Sequence, residues 1–164
     1  MTKVILGIAI VCFTTFCGHT LAKKYRQRKE FFRQLNGLNE RFLSEISYFK
    51  RPLKEFLEGY PLTGEFSTLI EEYSQYLVSG KQEEIYSSDF AEIAFLTADE
   101  KSFVRDYFLT LGRGDSASQK AYFSSVKSTL LGYKNGSEEA CKRYGDLYIK
   151  LGFLFGLAVL VLIA

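Results

Sequence analysis

The sequence predicts an all-α protein, an antiparallel bundle of about six helices whose first and last members run continuously, or nearly so, into transmembrane helices at the two ends. Three observations predict it. Apolar residues recur every three or four positions along most of the chain, and no period-2 run of strand length interrupts them. The two terminal stretches, 4–22 and 151–164, contain no Asp, Glu, Lys or Arg. Both carry Lys and Arg at their inner borders, the mark of the side of a span that stays in the cytoplasm. The expected organisation is an N-terminal anchor over residues 1–22, a cytoplasmic helical bundle over 23–147 and a C-terminal anchor over 148–164, with both termini outside.

The 19 residues 4–22 contain no Asp, Glu, Lys or Arg. As a helix they cover roughly 28 Å, close to the ~30 Å hydrocarbon core. Six basic residues and one acidic residue follow between positions 23 and 33. A cleaved secretory signal is the rival reading, because Thr20 and Ala22 are small residues at a minus-three, minus-one spacing. Signals, however, carry their charge before the apolar run, and here only Lys3 precedes it. A retained anchor is therefore expected.

Phe31, Phe32, Leu35, Leu38, Phe42, Leu43, Ile46 and Phe49 give the first bundle helix its apolar face, and nothing between Ala22 and Phe31 breaks the helix. Pro52 ends it and opens a short helix to about Glu58, before Gly59, Pro61 and Gly64. Phe66, Leu69, Ile70, Tyr73, Tyr76 and Leu77 predict the next, stopped by Gly80. Ile85, Phe90, Ile93 and Ala94 predict a further helix over about 85–94. Thr97 and Glu100 have the spacing of a capping box, in which the Thr hydroxyl accepts from the third amide and the Glu reaches back. That box opens the helix of Phe103, Val104, Tyr107, Phe108 and Leu111.

Gly112 to Asp115 reads as a turn ending in an N-cap. Gln119, Phe123, Val126, Leu130 and Tyr133 begin the last periodic run, which Ala140, Cys141, Tyr144, Tyr148 and Leu151 resume. Asn135, Gly136 and Ser137 leave open whether this run is one helix or two collinear pieces. Residues 151–164 are wholly apolar but give only ~21 Å of helix. Extending back to Tyr148, with Lys150 snorkelling, reaches the lower limit of a span. Gly152 and Gly156 form a GxxxG, a bare face on which another helix can approach closely in lipid. Its partner is either the first anchor or a helix of another subunit, which leaves a homo-oligomer open.

The chain carries a net charge of only +2, but its charges are segregated. Between positions 55 and 106 twelve acidic residues face Lys81, Lys101 and Arg105, so nucleic acid is an unsuitable partner for that surface. Cys12, Cys17 and Cys141 offer neither a disulfide framework nor metal spacing. His19 is single and reads as a neutral imidazole near an interface. Neither GxxxxGK[ST] nor GxSxG is present, and the pairs Glu71/Glu72 and Glu83/Glu84 diverge on a helix. No catalytic residue, metal or cofactor is expected, and a scaffold or interaction protein is. A membrane-tethered regulator binding one cytosolic partner through the acidic surface has the same composition. A secreted helical protein follows if residues 4–22 are cleaved.

Ile46 to Tyr48, Pro52 to Glu55, Leu111 to Asp115 with Gln119, and Leu151 to Leu157 together resemble the stage III sporulation protein AB family of endospore-forming bacteria, over almost the whole chain. The resemblance implies a domain similar to the cytoplasmic domains of the type II secretion inner-membrane platform protein F. It also implies a place in a channel complex around the forespore, with other stage III sporulation channel subunits, membrane lipid and the secretion-type ATPase stage III sporulation protein AA as partners. Candidate packing or partner contacts are Glu45, Tyr48, Pro52, Leu53, Glu55, Leu111, Gly112, Asp115, Gln119, Gly152 and Gly156.

Overall fold

In a computed structural model the chain is all-helical, and the described residues, 2–48, 52–59, 61–81, 84–85 and 89–163, contain no strand. Of the side chains of residues 2–6, Tyr48 and Ile163, nothing is described. The helices are α1 (Thr2–Tyr48), α2 (Leu53–Glu58), α3 (Glu65–Ser79), α4 (Ala98–Thr110), α5 (Ser116–Ser125) and α6 (Lys127–Ile163). The chain divides into two compact units, one of Glu30–Lys134 and one of Met1–Lys29 with Asn135–Ala164.

The central unit, residues 30–134, is built on aromatic packing. Phe31, Phe32, Leu35, Leu38 and Phe42 line the inner face of α1, and Phe66, Leu69, Ile70 and Tyr73 that of α3. Val104, Tyr107 and Phe108 of α4 and Phe123 of α5 pack into the same core. Phe123 sits edge-on between Phe42 (4.9 Å) and Tyr107 (5.0 Å), and each such pair adds roughly 0.5–1.5 kcal/mol beyond the area it buries. Two of the buried polar side chains tie α1 to the rest of the unit. Asn39 donates to the Phe123 carbonyl (3.2 Å) and accepts from the Tyr107 hydroxyl (3.3 Å). Gln34 donates to the Thr63 carbonyl (3.1 Å) and accepts from its amide (2.9 Å), fixing the turn before α3.

Local signals mark the helix starts and stops. Thr97 and Glu100 form the capping box, and Gly80 ends α3 in the left-handed region at φ 69°. The expected helix over 85–94 is absent from the described residues. Residues 84–85 form a single 3₁₀ turn and 89–96 a series of turns, with Ala91 at φ 62°; residues 86–88 lie outside the described set. The reason is burial on several sides. Ala91 and Ile93 are both buried, yet residues two apart on a helix point about 200° from each other. Arg105 holds the irregular path by donating to the Phe90 carbonyl (2.9 Å).

The terminal unit pairs residues 7–29 of α1 with 135–163 of α6. Contacts descend along α1 from Tyr25 to Gly7 as they ascend along α6 from Tyr144 to Leu160, so the two helices run antiparallel. Helix α6 passes through Asn135, Gly136 and Ser137 without a break. One glycine costs a helix only about 1 kcal/mol, too little to stop it. The interruption falls instead at Val126, between α5 and α6.

Candidate functional site

In the central unit, the loop from Leu111 to Asp115 is held by three different kinds of residue. Gly112 and Gly114 take φ of 80° and 87°, the region open to glycine without a Cβ clash. A Cβ on Gly112 would also meet Leu53 Cδ2 at 2.5 Å. Asp115 is the N-cap of α5, accepting from the Ser118 amide at 2.7 Å. That backbone hydrogen bond holds the Asp115 carboxyl below its ordinary pKa. Gln119 is buried and closes the loop. It accepts from the Gly112 amide (3.0 Å) and donates to the carbonyls of Thr110 (2.9 Å) and Arg113. Leu111 is fully buried, and its carbonyl accepts from the Tyr73 hydroxyl at 2.7 Å.

Beside this loop lies a cleft of 270 Å³ lined by Phe42, Glu45, Ile46, Leu53, Phe56, Gly112, Gly114, Ser116 and Gln119. Four of the candidates drawn from the sequence, Glu45, Leu53, Gly112 and Gln119, thus share one cleft although 74 positions separate the first from the last. Pro52 precedes α2 and Glu55 lies in its first turn, both exposed; the side chain of Tyr48 lies outside the described residues. The cleft is apolar with one carboxylate in its wall. It suits recognition of a side chain. Among the described residues no group of three or more His, Cys, Asp or Glu is placed to hold a metal.

In the terminal unit, Gly152 and Gly156 pack on α1 of the same chain. A Cβ on Gly152 would stand 2.5 Å from the Thr14 carbonyl oxygen, and one on Gly156 2.5 Å from Thr14 Oγ1 and 2.8 Å from Val11 Cα. Gly18 is equally tight against the Tyr148 carbonyl. The hydroxyls of Thr14 and Thr15 are satisfied within α1, Thr15 donating to the Val11 carbonyl at 2.7 Å. Further along α1, Tyr25 stacks on Tyr148 (5.8 Å) and touches Tyr144 (5.5 Å). The sequence reading missed Gly18, Thr14 and this tyrosine cluster. Gly18, a second glycine within the apolar run, was the available signal for the contact.

Along the apolar stretches of this pair, large apolar side chains face outward. Phe13, Phe16, Leu154, Phe155, Val161 and Leu162 are exposed. Ser116–Leu162 includes a window long and apolar enough to cross a membrane, and only 11% of it is buried, unlike a core helix of a soluble domain. These features define a helical protein whose apolar helix suggests membrane association.

The family described as stage III sporulation protein AB matches residues 3–164, and the chain belongs to that family. It is similar to stage III sporulation protein AB of Bacillus subtilis (strain 168), with 27% identity over 177 aligned positions that cover 99% of each chain. No solved structure matches the chain.

Proposed function

We propose that this stage III sporulation protein is a non-enzymatic platform subunit of a secretion-like channel complex between mother cell and forespore. Both terminal helices cross the mother-cell membrane around the forespore, residues 23–147 form a cytoplasmic bundle similar to the platform domain of type II secretion protein F, and both termini are outside. Its partners are other stage III sporulation channel subunits and the secretion-type ATPase stage III sporulation protein AA, which docks on the cytoplasmic bundle.

The observation that carries this reading is the antiparallel pairing of residues 7–29 with 135–163, close-packed on glycines and apolar outside. Two helices that fill each other's bare faces and turn Phe and Leu outward suit lipid far better than water. Basic residues at 23–29 and 142–150 mark the same end of both helices, as a cytoplasmic border requires. Affinity purification of the full chain from membranes of sporulating cells tests the proposal. Recovery of several membrane subunits together with the ATPase is expected. Recovery of a single soluble partner would replace the platform by a tethered regulator.

A further inference from the structure

We infer that the groove between α1 and α6 around Cys17, together with the basic turns that follow Leu21, is a seat for one anionic phospholipid. This rests on the two-span reading above. The groove measures 440 Å³ and is lined by Thr14, Cys17, Leu21, Tyr148, Leu151 and Phe155, with Gly18 and Gly152 at its floor. Its surface is almost all carbon. Within one turn of Leu21 the chain becomes strongly cationic: Lys23, Lys24, Arg26, Arg28 and Lys29 come without an acidic residue, and Lys23, Lys24 and Arg26 are exposed. Of the acidic side chains of the unit, Glu138 and Glu139 lie farther back along α6, and Asp146 alone, between Tyr144 and Tyr148, is level with the basic turns, where five cations outnumber it.

The occupant follows from two properties. Close packing of a third helix wants small residues, and Gly18, Gly152 and Gly156 are already filled by Tyr148, Thr14 and Val11. What remains outside is bulky and uneven, a surface that a flexible acyl chain can follow. The headgroup must be anionic, because a cluster of Lys and Arg just cytoplasmic of a span attracts negative lipid, about fivefold in affinity per charge. Tyr25, stacked on Tyr148, marks the level at which chain gives way to headgroup.

The test uses the full chain in phosphatidylcholine nanodiscs containing a minor fraction of phosphatidylglycerol, released and weighed by native mass spectrometry. Phosphatidylglycerol should be retained in preference to phosphatidylcholine. The variant Lys23→Gln/Lys24→Gln/Arg26→Gln should lose that preference by about a hundredfold at low salt. Cys17→Phe, which fills the groove and leaves the charges intact, should lower retention of both lipids. Equal retention of the two lipids, a triple variant that behaves as wild type, or displacement of the lipid by free glycerol phosphate would each overturn the seat. So would a Cys17–Cys17 disulfide between two copies, which puts a second helix on the groove. Carbonate extraction separates the two readings: a chain that leaves the membrane ends both, whereas one that stays without lipid preference ends only the seat.

Discussion

Gly152 lies against the backbone of Thr14 so closely that a Cβ at position 152 would stand 2.5 Å from the Thr14 carbonyl oxygen. The obstacle is backbone rather than the end of a flexible side chain, so any side chain there forces the two helices apart.

Gly152→Leu and Gly156→Leu, singly, should therefore destabilise the terminal unit by about 1–3 kcal/mol, the usual range for overpacking, while raising the hydrophobicity of residues 148–164. Insertion survives and pairing fails. A cysteine pair placed at Gly7 and Leu160, whose residues touch in the native chain, reports it directly. With the native cysteines replaced, disulfide formation should be fast in the parent and slow in either Leu variant. Equal rates would show that the glycines do not set the approach.

Gln119 makes a prediction with a pH sign. Gln119→Leu keeps the volume and leaves the Gly112 amide and the Thr110 and Arg113 carbonyls without their side-chain partner. Gly112 is exposed and water can replace part of the loss, so about 1 kcal/mol is expected rather than the ~3 of a fully buried group. Gln119→Glu keeps the acceptor but turns a carboxylate on two carbonyls. That variant should be less stable than Gln119→Leu at neutral pH and recover as acid protonates it, since a protonated Glu can donate again. Thermal unfolding of the full chain in detergent between pH 7 and 4 checks both.

Much of this loop was legible in the sequence and its closure was not. Gly112, Gly114 and Asp115 are local signals, because a positive φ and an N-cap depend on neighbours within four positions. Gln119 acts on residues six to nine positions back, where no rule of spacing applies. The segment 85–94 fails for a related reason. Its apolar residues mimic a helical stripe, but Phe90, Ala91 and Ile93 are buried on different sides and only the tertiary fold reveals it. Gly152 and Gly156 announced close packing, yet a helix of the same chain and one of another subunit leave the same mark.

Asp115 and Glu92 both have carboxyl groups held below their ordinary pKa, Asp115 by the Ser118 amide and Glu92 by hydrogen bonds from Lys101 and then Arg105. A lowered folded-state value means that the stabilisation is present above the unfolded value of about 4 and is lost as pH falls through the folded one. The penalty of Asp115→Ala should thus be largest near neutrality and shrink in acid. A penalty that grows in acid would mean that the ionised carboxylate does not form the cap.

Arg105 bonds both to the buried Phe90 carbonyl and to exposed Glu92, and the two contacts differ in weight. An exposed ion pair contributes little, whereas a backbone carbonyl in the core is costly to leave unmet. Arg105→Ala should therefore speed amide exchange at Ile93 and Leu96 well beyond what Glu92→Ala does. Similar exchange in the two variants would assign the role to the ion pair.

The proposed two-span topology gives the last prediction. Five basic residues between 23 and 29 and Lys142, Arg143 and Lys150 before the other apolar run put the same border on both helices, and the antiparallel pairing brings residues 25 and 148 together at that border. A single crossing would leave one of the apolar runs in water with Phe and Leu exposed. Both ends should then be outside and residues 23–147 inside. In a chain whose native cysteines are replaced, a cysteine at exposed Ser116 should resist a membrane-impermeant maleimide in whole cells and react once the membrane is opened. A cysteine at Thr2 should react in intact cells. Rapid labelling at Ser116 in intact cells would overturn the topology, and with it the proposed docking of an ATPase on residues 23–147.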